Sequence, residues 1–433
     1  MNTANQSIYQ SPAYKRSRAA YCMECAAEYF VSLLVTETFL AKLLTAIGLS
    51  DDVIGIISSL ISLSFLFQLA AVFVVKRIKN TKRFSILFHT AGNLLFMSLY
   101  LIPFLPFAAP YRQPLVIACI LAAYFGNYFV TTIIYRWGNS FVEHSRRGRF
   151  SAGKEMISLI SGMVVTVSLG YAMDAFEAAD NLHGGFIFSA AAILIFSICD
   201  LICLLLIQKE DSPAPPTAPT ASLGAVLRNT FRNRQFLYIV LLCVLINCAQ
   251  YTTIGFLGTY QMSELALTVG TVQLLNIIGN LGRFAHSRPF GVYTDRHSFT
   301  AGIKLALVFL VLSFLVCTFV TPSCRWLIVL HILFHRISYA GTVQNLINIT
   351  YNYVDSAYFV EASAIKNSIS GIAGFGASIL AGRLLAHIQQ NGNTLFGIPV
   401  YGQQVLSLIS AILSLAAILF VKFVIEKHKI IVQ

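Results

Sequence analysis

Of the 433 residues, 57% are hydrophobic and 11% charged, and the mean hydropathy is +0.72. Such a chain has too little polar surface to cover a globule in water, so an ordinary soluble domain is excluded. The formal net charge of +12 invites a nucleic-acid reading, but the cations fall between long apolar runs rather than along one face of a domain. No nucleic-acid partner is expected, and the bilayer is the implied solvent.

Taken in chain order, apolar segments long enough to cross a bilayer as helices are predicted at 19–46, 53–75, 84–105, 114–135, 153–174 and 185–207, then at 236–260, 266–290, 300–320, 326–348, 367–388 and 403–424. Each is at or above the roughly 17 to 25 residues a spanning helix needs. The fold class is therefore all-α integral membrane, with about twelve spans. The basic N-terminal tail runs into a full-length span, so a cleavable leader is not expected.

Lys15, Arg16 and Arg18 precede the first span. Lys76, Arg77, Lys79, Lys82 and Arg83 follow the second, and Arg146, Arg147, Arg149 and Lys154 follow the fourth. With alternating spans these fall on one side, whereas the other side holds Lys42, Arg112, Arg325 and Arg383. This asymmetry predicts that both termini are cytoplasmic, in a multi-pass protein of the cytoplasmic membrane.

The nine cysteines lie mostly within apolar runs, where a thiol behaves as a small hydrophobe. Cys22 and Cys25 form a C-x-x-C on a helix entering the membrane, without a second ligand pair in sequence. Neither a metal nor a cofactor is expected.

Between the two sets of six spans, residues 208–235 include EDSPAPPTAPTAS, which reads as a flexible linker. It divides the chain into a bundle over 1–207 and a second over 236–433. The halves are related: at one fixed offset Ser151, Ala152, Lys154, Ile157, Ser158, Ile160 and Gly162 face Ser363, Ala364, Lys366, Ile369, Ser370, Ile372 and Gly374. The fifth and eleventh spans read as copies of one ancestral helix, the signature of a six-plus-six parallel repeat.

After the eighth span, GVYTDRHSFTAGIK carries Gly291, Asp295 and Arg296 in the spacing G-x-x-x-D-R, and RRGRFSAGKE precedes the fifth span. In these features the chain resembles the major facilitator superfamily over essentially its whole length. At the place of the corresponding first-half signature, VFVVKRIKNTKR lacks both its Gly and its Asp. The resemblance implies two pseudo-symmetric six-helix bundles. It also implies a gate in which the Asp295 loop approaches the fifth helix, with Gly291, Asp295, Arg296, Lys154 and Lys366 as gating residues.

Gly148 to Glu155 reads G-x-x-x-x-G-K-E. A P-loop needs a Ser or Thr at the last position and a preceding strand, so ATP hydrolysis is not expected. The scattered histidines, including His89 and His387, make no convergent catalytic set, and an enzyme is not expected.

Polar residues inside spans are costly and face partners or cavities. At helical spacing, Tyr21, Glu24 and Glu28 share a face of the first span, and Tyr124, Asn127 and Tyr128 share one of the fourth. Asn247, Gln250 and Tyr251 cluster on the seventh, Asn276, Asn280 and Arg283 on the eighth, and His335 and Arg336 on the tenth. In the resembled fold, spans one, four, seven and ten line the central cavity. The substrate-binding candidates are Glu28, Tyr124, Asn127, Tyr128, Asn247, Gln250, Tyr251, His335 and Arg336 on those spans, with Asn276, Asn280 and Arg283 from the polar face of the eighth. Interhelical hydrogen-bond seams are the competing explanation for the neutral members. Asp200, near the end of the sixth span, reads as structural.

The function expected is secondary active transport of a small polar solute of the sugar or organic-acid class by alternating access. Protons are the expected coupling ion and Glu28 the coupling carboxylate, linked to solute binding at Arg336. Drug or metabolite efflux and a non-transporting membrane sensor stand as alternatives.

Overall fold

A computed structural model describes residues 11–74, 78, 80–106, 109–143, 147–208, 231–353 and 359–427. Among them, nine helices are long and apolar enough to cross a membrane, and a bent pair makes a tenth. The places of two further expected spans are taken by full-length helices that carry more polar residues, Thr81–Leu99 and Val269–Arg296. Packing separates the chain into two units. One comprises residues 1–47 and 70–217, the other 48–69 and 218–433.

In the first unit, α1 (Pro12–Leu34) starts on Ser11, whose hydroxyl accepts the Tyr14 N–H, with Pro12 in the first turn where no N–H is needed. The first expected span is not one straight helix. It breaks after Leu34, and α2 (Glu37–Ala46) leaves at 41°. No proline sits at the break. The Ser32 and Thr36 hydroxyls instead bond the Tyr29 and Ser32 carbonyls, the local competition that bends helices, and Glu37 takes φ +48°.

The second expected span is built as α3 (Asp51–Ser58), α4 (Leu60–Leu63) and α5 (Phe65–Val74). Ser59, Ser62 and Ser64 each donate a hydroxyl proton to a backbone carbonyl here. Residues 48–69 of this stretch belong by packing to the second unit.

The first unit continues with α6 (Thr81–Leu99), α7 (Ala109–Ser140), α8 (Arg147–Ala178) and α9 (Leu182–Leu206). α1 packs on α8 and α9, and α6 packs on α7 and α9. Their ends are pinned together at one level. Lys82 Nζ donates to the Ile207 carbonyl, the Gln208 N–H to Ser17 Oγ, Trp137 Nε1 to the Gln208 carbonyl, and Arg18 to the Phe141 carbonyl. A core of Tyr21, Phe129, Val130, Ile133, Trp137 and Leu204 lies directly inside this girdle.

The second unit contains α10 (Arg234–Tyr251), α11 (Ile254–Thr259), α12 (Val269–Arg296), α13 (Phe299–Thr318), α14 (Ile328–Tyr353), α15 (Phe359–Gln390) and α16 (Gly402–Phe420). A core of Ile239, Leu242, Ile246, Leu307, Phe314 and Ala411 joins α10, α13 and α16. α3 and α4 lie against α15, where Ser378 donates to Ser59 Oγ at 2.7 Å. The G-x-x-x-D-R signature, expected in a loop, is helical: α12 runs through Gly291 and Asp295 and ends at Arg296.

Candidate functional site

Two polar regions stand out, one in each unit. In the first unit three membrane-depth ionisable groups converge: Glu24 on α1, His89 on α6 and Asp200 on α9 are all fully buried. One ligand-capable atom of each lies within 4.8 Å of the others. The depth match follows from the pinned ends. Glu24 stands seven residues beyond Ser17, His89 seven beyond Lys82 and Asp200 eight before Gln208, so each sits about 11 to 12 Å inside at about 1.5 Å per residue.

His89 Nε2 is 3.1 Å from Asp200 Oδ2, a buried ion pair. The amide of Asn93 donates to the same Asp200 oxygen at 3.2 Å, and Asn127 donates to Asn93 Oδ1 at 3.1 Å. Cys25 Sγ donates to Glu24 Oε2 at 3.2 Å. Glu28, one turn further along α1, is half-buried and interacts electrostatically with His89, Asp200 and Lys154.

The backbone permits this convergence because α6 and α7 touch without side chains between them. A Cβ on Gly126 would lie 2.6 Å from the Phe88 carbonyl oxygen and 3.0 Å from Gly92 Cα. Each glycine is followed by the asparagine that enters the network, Gly92 by Asn93 and Gly126 by Asn127. Tyr124 is buried edge-on against Phe96 and Tyr128, at 5.2 and 5.8 Å. Of the first-unit substrate candidates, Asn127 joins the buried network, Glu28 lies beside it, and the two tyrosines, one on each side of Asn127 in the chain, form an aromatic step on α7.

Lys154 is held within the same unit. Its ammonium donates to Tyr21 Oη at 3.3 Å and to Cys25 Sγ at 3.1 Å, and lies over the Tyr21 and Tyr135 rings at 4.6 and 4.7 Å. Its repeat partner Lys366 is buried and donates to Thr350 Oγ1 at 3.2 Å. Gly291, Asp295 and Arg296 are exposed on the last turns of α12. Lys42, on α2, is ion-paired to Glu177 on α8.

In the second unit, Asn247 and Tyr251 lie along α10 against Gly374, where a Cβ would meet the Tyr251 ring at 2.7 Å. Gln250 is half-buried on the same helix. α12 closes on α14 at Gly279, where a Cβ would meet Ile332 at 2.7 Å and the Arg336 stem at 2.8 Å. Asn276 and Asn280 are half-buried on α12, and the Arg283 guanidinium lies 4.7 Å over the Tyr339 ring. His331 is bonded to Ser313 at 2.9 Å, a seam between α13 and α14. The His335 ring lies tilted near it, 6.0 Å from the His331 ring and 6.2 Å from Phe314 on α13.

The sequence model of the Major Facilitator Superfamily matches residues 19–379. The chain belongs to that superfamily. No curated protein matches it. Among solved structures, this superfamily member is similar to a mutant of the nucleoside transporter NupG at 15% identity and TM-score 0.72, covering 94% of this chain and 99% of that one. It is similar to a bacterial homologue of the human lysosomal transporter Spinster, solved inward-facing and unoccupied, at 13% identity and TM-score 0.66, covering 95% and 96%. A POT family transporter in complex with a thioalcohol-conjugated peptide aligns at 14% identity and TM-score 0.64, covering 94% and 96%. At these identities the likeness is one of fold.

Sequence reasoning assigned Asp200 a structural role, left His89 unassigned, and did not single out Asn93. The depth of each from the basic end of its span was the available signal. The pairing of α6 with α9 was not, because periodicity says which face is polar and not which helix that face meets.

Proposed function

We propose that this superfamily member is a secondary carrier that moves a small polar solute, of the sugar or organic-acid class, together with H⁺ by alternating access. In this reading Glu28 is the coupling carboxylate and Arg336 the cation that receives an anionic part of the solute. Both termini lie in the cytoplasm, and the membrane is the cytoplasmic one.

The observation that carries the reading is the placement of ionisable groups at membrane depth in a chain of a transporter family. Glu28 is half-buried on α1 beside a fully buried polar network, and such groups in spanning helices mark solute or proton pathways. Neutral hydrogen-bonding side chains such as Gln250, Asn276 and Asn280, none of them fully exposed, suit a hydroxyl- or carboxyl-bearing solute better than an apolar one. The basic residues outside the spans support the topology.

The test is uptake by proteoliposomes holding the purified protein, against a panel of sugars, organic acids, amino acids and dyes, with and without an imposed pH gradient. Accumulation of a sugar or organic acid only with the gradient is the expected result. Movement of dyes alone would replace the reading with drug efflux, and accumulation indifferent to the gradient would remove H⁺ from it.

A further inference from the structure

We infer that Glu24, His89 and Asp200 form a binding site for one divalent transition-metal ion, built entirely within the first unit. Two carboxylates and an imidazole, one from each of three helices, bring their ligand atoms within 4.8 Å of one another. Ligands about 2.0 to 2.2 Å from one tetrahedral cation stand about 3.4 Å apart, so the three side chains would draw in by up to about 1.4 Å to close on an ion. All three side chains are fully buried.

The second observation is the pattern of satisfied and unsatisfied atoms. On each carboxylate one oxygen is anchored and the other is not. Glu24 Oε2 accepts from Cys25 and Asp200 Oδ2 from Asn93, whereas Glu24 Oε1, Asp200 Oδ1 and His89 Nδ1 have no hydrogen-bond partner among the described residues. Each buried polar atom left unpartnered costs about 1 to 3 kcal/mol. A simple His89–Asp200 ion pair uses Nε2 and leaves His89 Nδ1, Glu24 Oε1 and Asp200 Oδ1 unpartnered. One cation held by an atom of each residue would offset the two carboxylate charges.

The donor set selects the class of ion. An imidazole nitrogen with carboxylate oxygens suits Mn²⁺, Fe²⁺, Co²⁺ or Zn²⁺, while Na⁺, Ca²⁺ and Mg²⁺ favour oxygen ligands alone. The Asn127–Asn93–Asp200 chain and the Cys25–Glu24 contact supply the outer hydrogen bonds that orient metal ligands. The charges facing the cluster are Glu28 on its own helix and Lys154 from α8, opposite in sign. The site goes beyond the carrier reading and assumes no particular cargo.

The test uses the purified full-length protein in detergent, stripped with a chelator and equilibrated at length with Co²⁺, because the cluster is closed to solvent. The expected result is one Co²⁺ per chain, with d–d absorption and no thiolate charge-transfer band. Glu24→Gln, His89→Gln and Asp200→Asn should each remove it, and Asn93→Ala should weaken it by about 10- to 100-fold. Cys25→Ala removes the other outer hydrogen bond and should weaken binding by a similar factor.

Where a ligand variant fails to fold, electron-spin-echo spectroscopy of the Mn²⁺-loaded wild type decides instead, through the coupling of one histidine nitrogen. No bound metal in the wild type, a spectrum unchanged by all three ligand substitutions, or the absence of that coupling would overturn the site. Proton-driven solute uptake is a separate readout, so a failure of either idea leaves the other standing.

Discussion

The contact between α6 and α7 offers the sharpest test of the packing. Gly126→Ala adds one methyl carbon 2.6 Å from the Phe88 carbonyl oxygen, 0.8 Å inside the 3.4 Å at which ordinary contact begins. The obstacle is backbone on both sides, the carbonyl and Gly92 Cα, so no side-chain rotation relieves it and the helices must separate. Overpacking of this kind costs about 1 to 3 kcal/mol. A shift of that size would also stretch the Asn127–Asn93 bond from 3.1 Å beyond hydrogen-bonding range, and interhelical bonds in membrane proteins average about 0.6 kcal/mol. Relative to a Gly→Ala change that meets no clash, the expected loss is about 1.6 to 3.6 kcal/mol. The assay is the thermal midpoint of the purified protein in detergent, read from the reaction of buried cysteines with a thiol dye. Gly376→Ala serves as the control, since a Cβ there meets nothing within 4 Å, and helix propensity alone makes it neutral or stabilising by up to about 1 kcal/mol. A Gly126→Ala midpoint equal to that of Gly376→Ala would refute the close approach, and Gly126→Leu folding normally would do so outright.

Glu28→Gln should abolish pH-gradient-driven accumulation while retaining solute exchange between equilibrated compartments, because exchange needs no net proton movement. Unchanged accumulation would take Glu28 out of the mechanism. Tyr100→Phe removes the hydroxyl that donates to the Leu34 carbonyl at 2.5 Å, at the break between α1 and α2. A loss of about 0.5 to 1.5 kcal/mol is expected in the same thermal assay, and no loss would show that the break is held by other contacts. Single cysteines at Ser212 and Ser222, on a cysteine-free background, should resist an impermeant reagent applied outside while one at Phe396, which is exposed, reacts; the reverse pattern would invert the topology.

Sequence alone determined the solvent, the approximate spans, the related lysines at 154 and 366 and the superfamily. Each of these rests on local information: the length of an apolar run, the spacing of a motif. It located Glu24 and Glu28 on one face of the first helix because that too is a matter of 3.6-residue periodicity.

Only the tertiary structure decided that Glu24 meets His89 and Asp200 from helices far away in the chain, and that residues 48–69 pack with the second unit. Which helix a polar face meets depends on where backbones can approach closely, as at Gly92 and Gly126, and on which ends are pinned together, as at Ser17, Lys82 and Gln208. The bend after Leu34 was hidden for a related reason. It arises from serine and threonine hydroxyls bonding the backbone, and those residues stand unbent in many other helices, so their presence in an apolar run marks no boundary until the geometry is known.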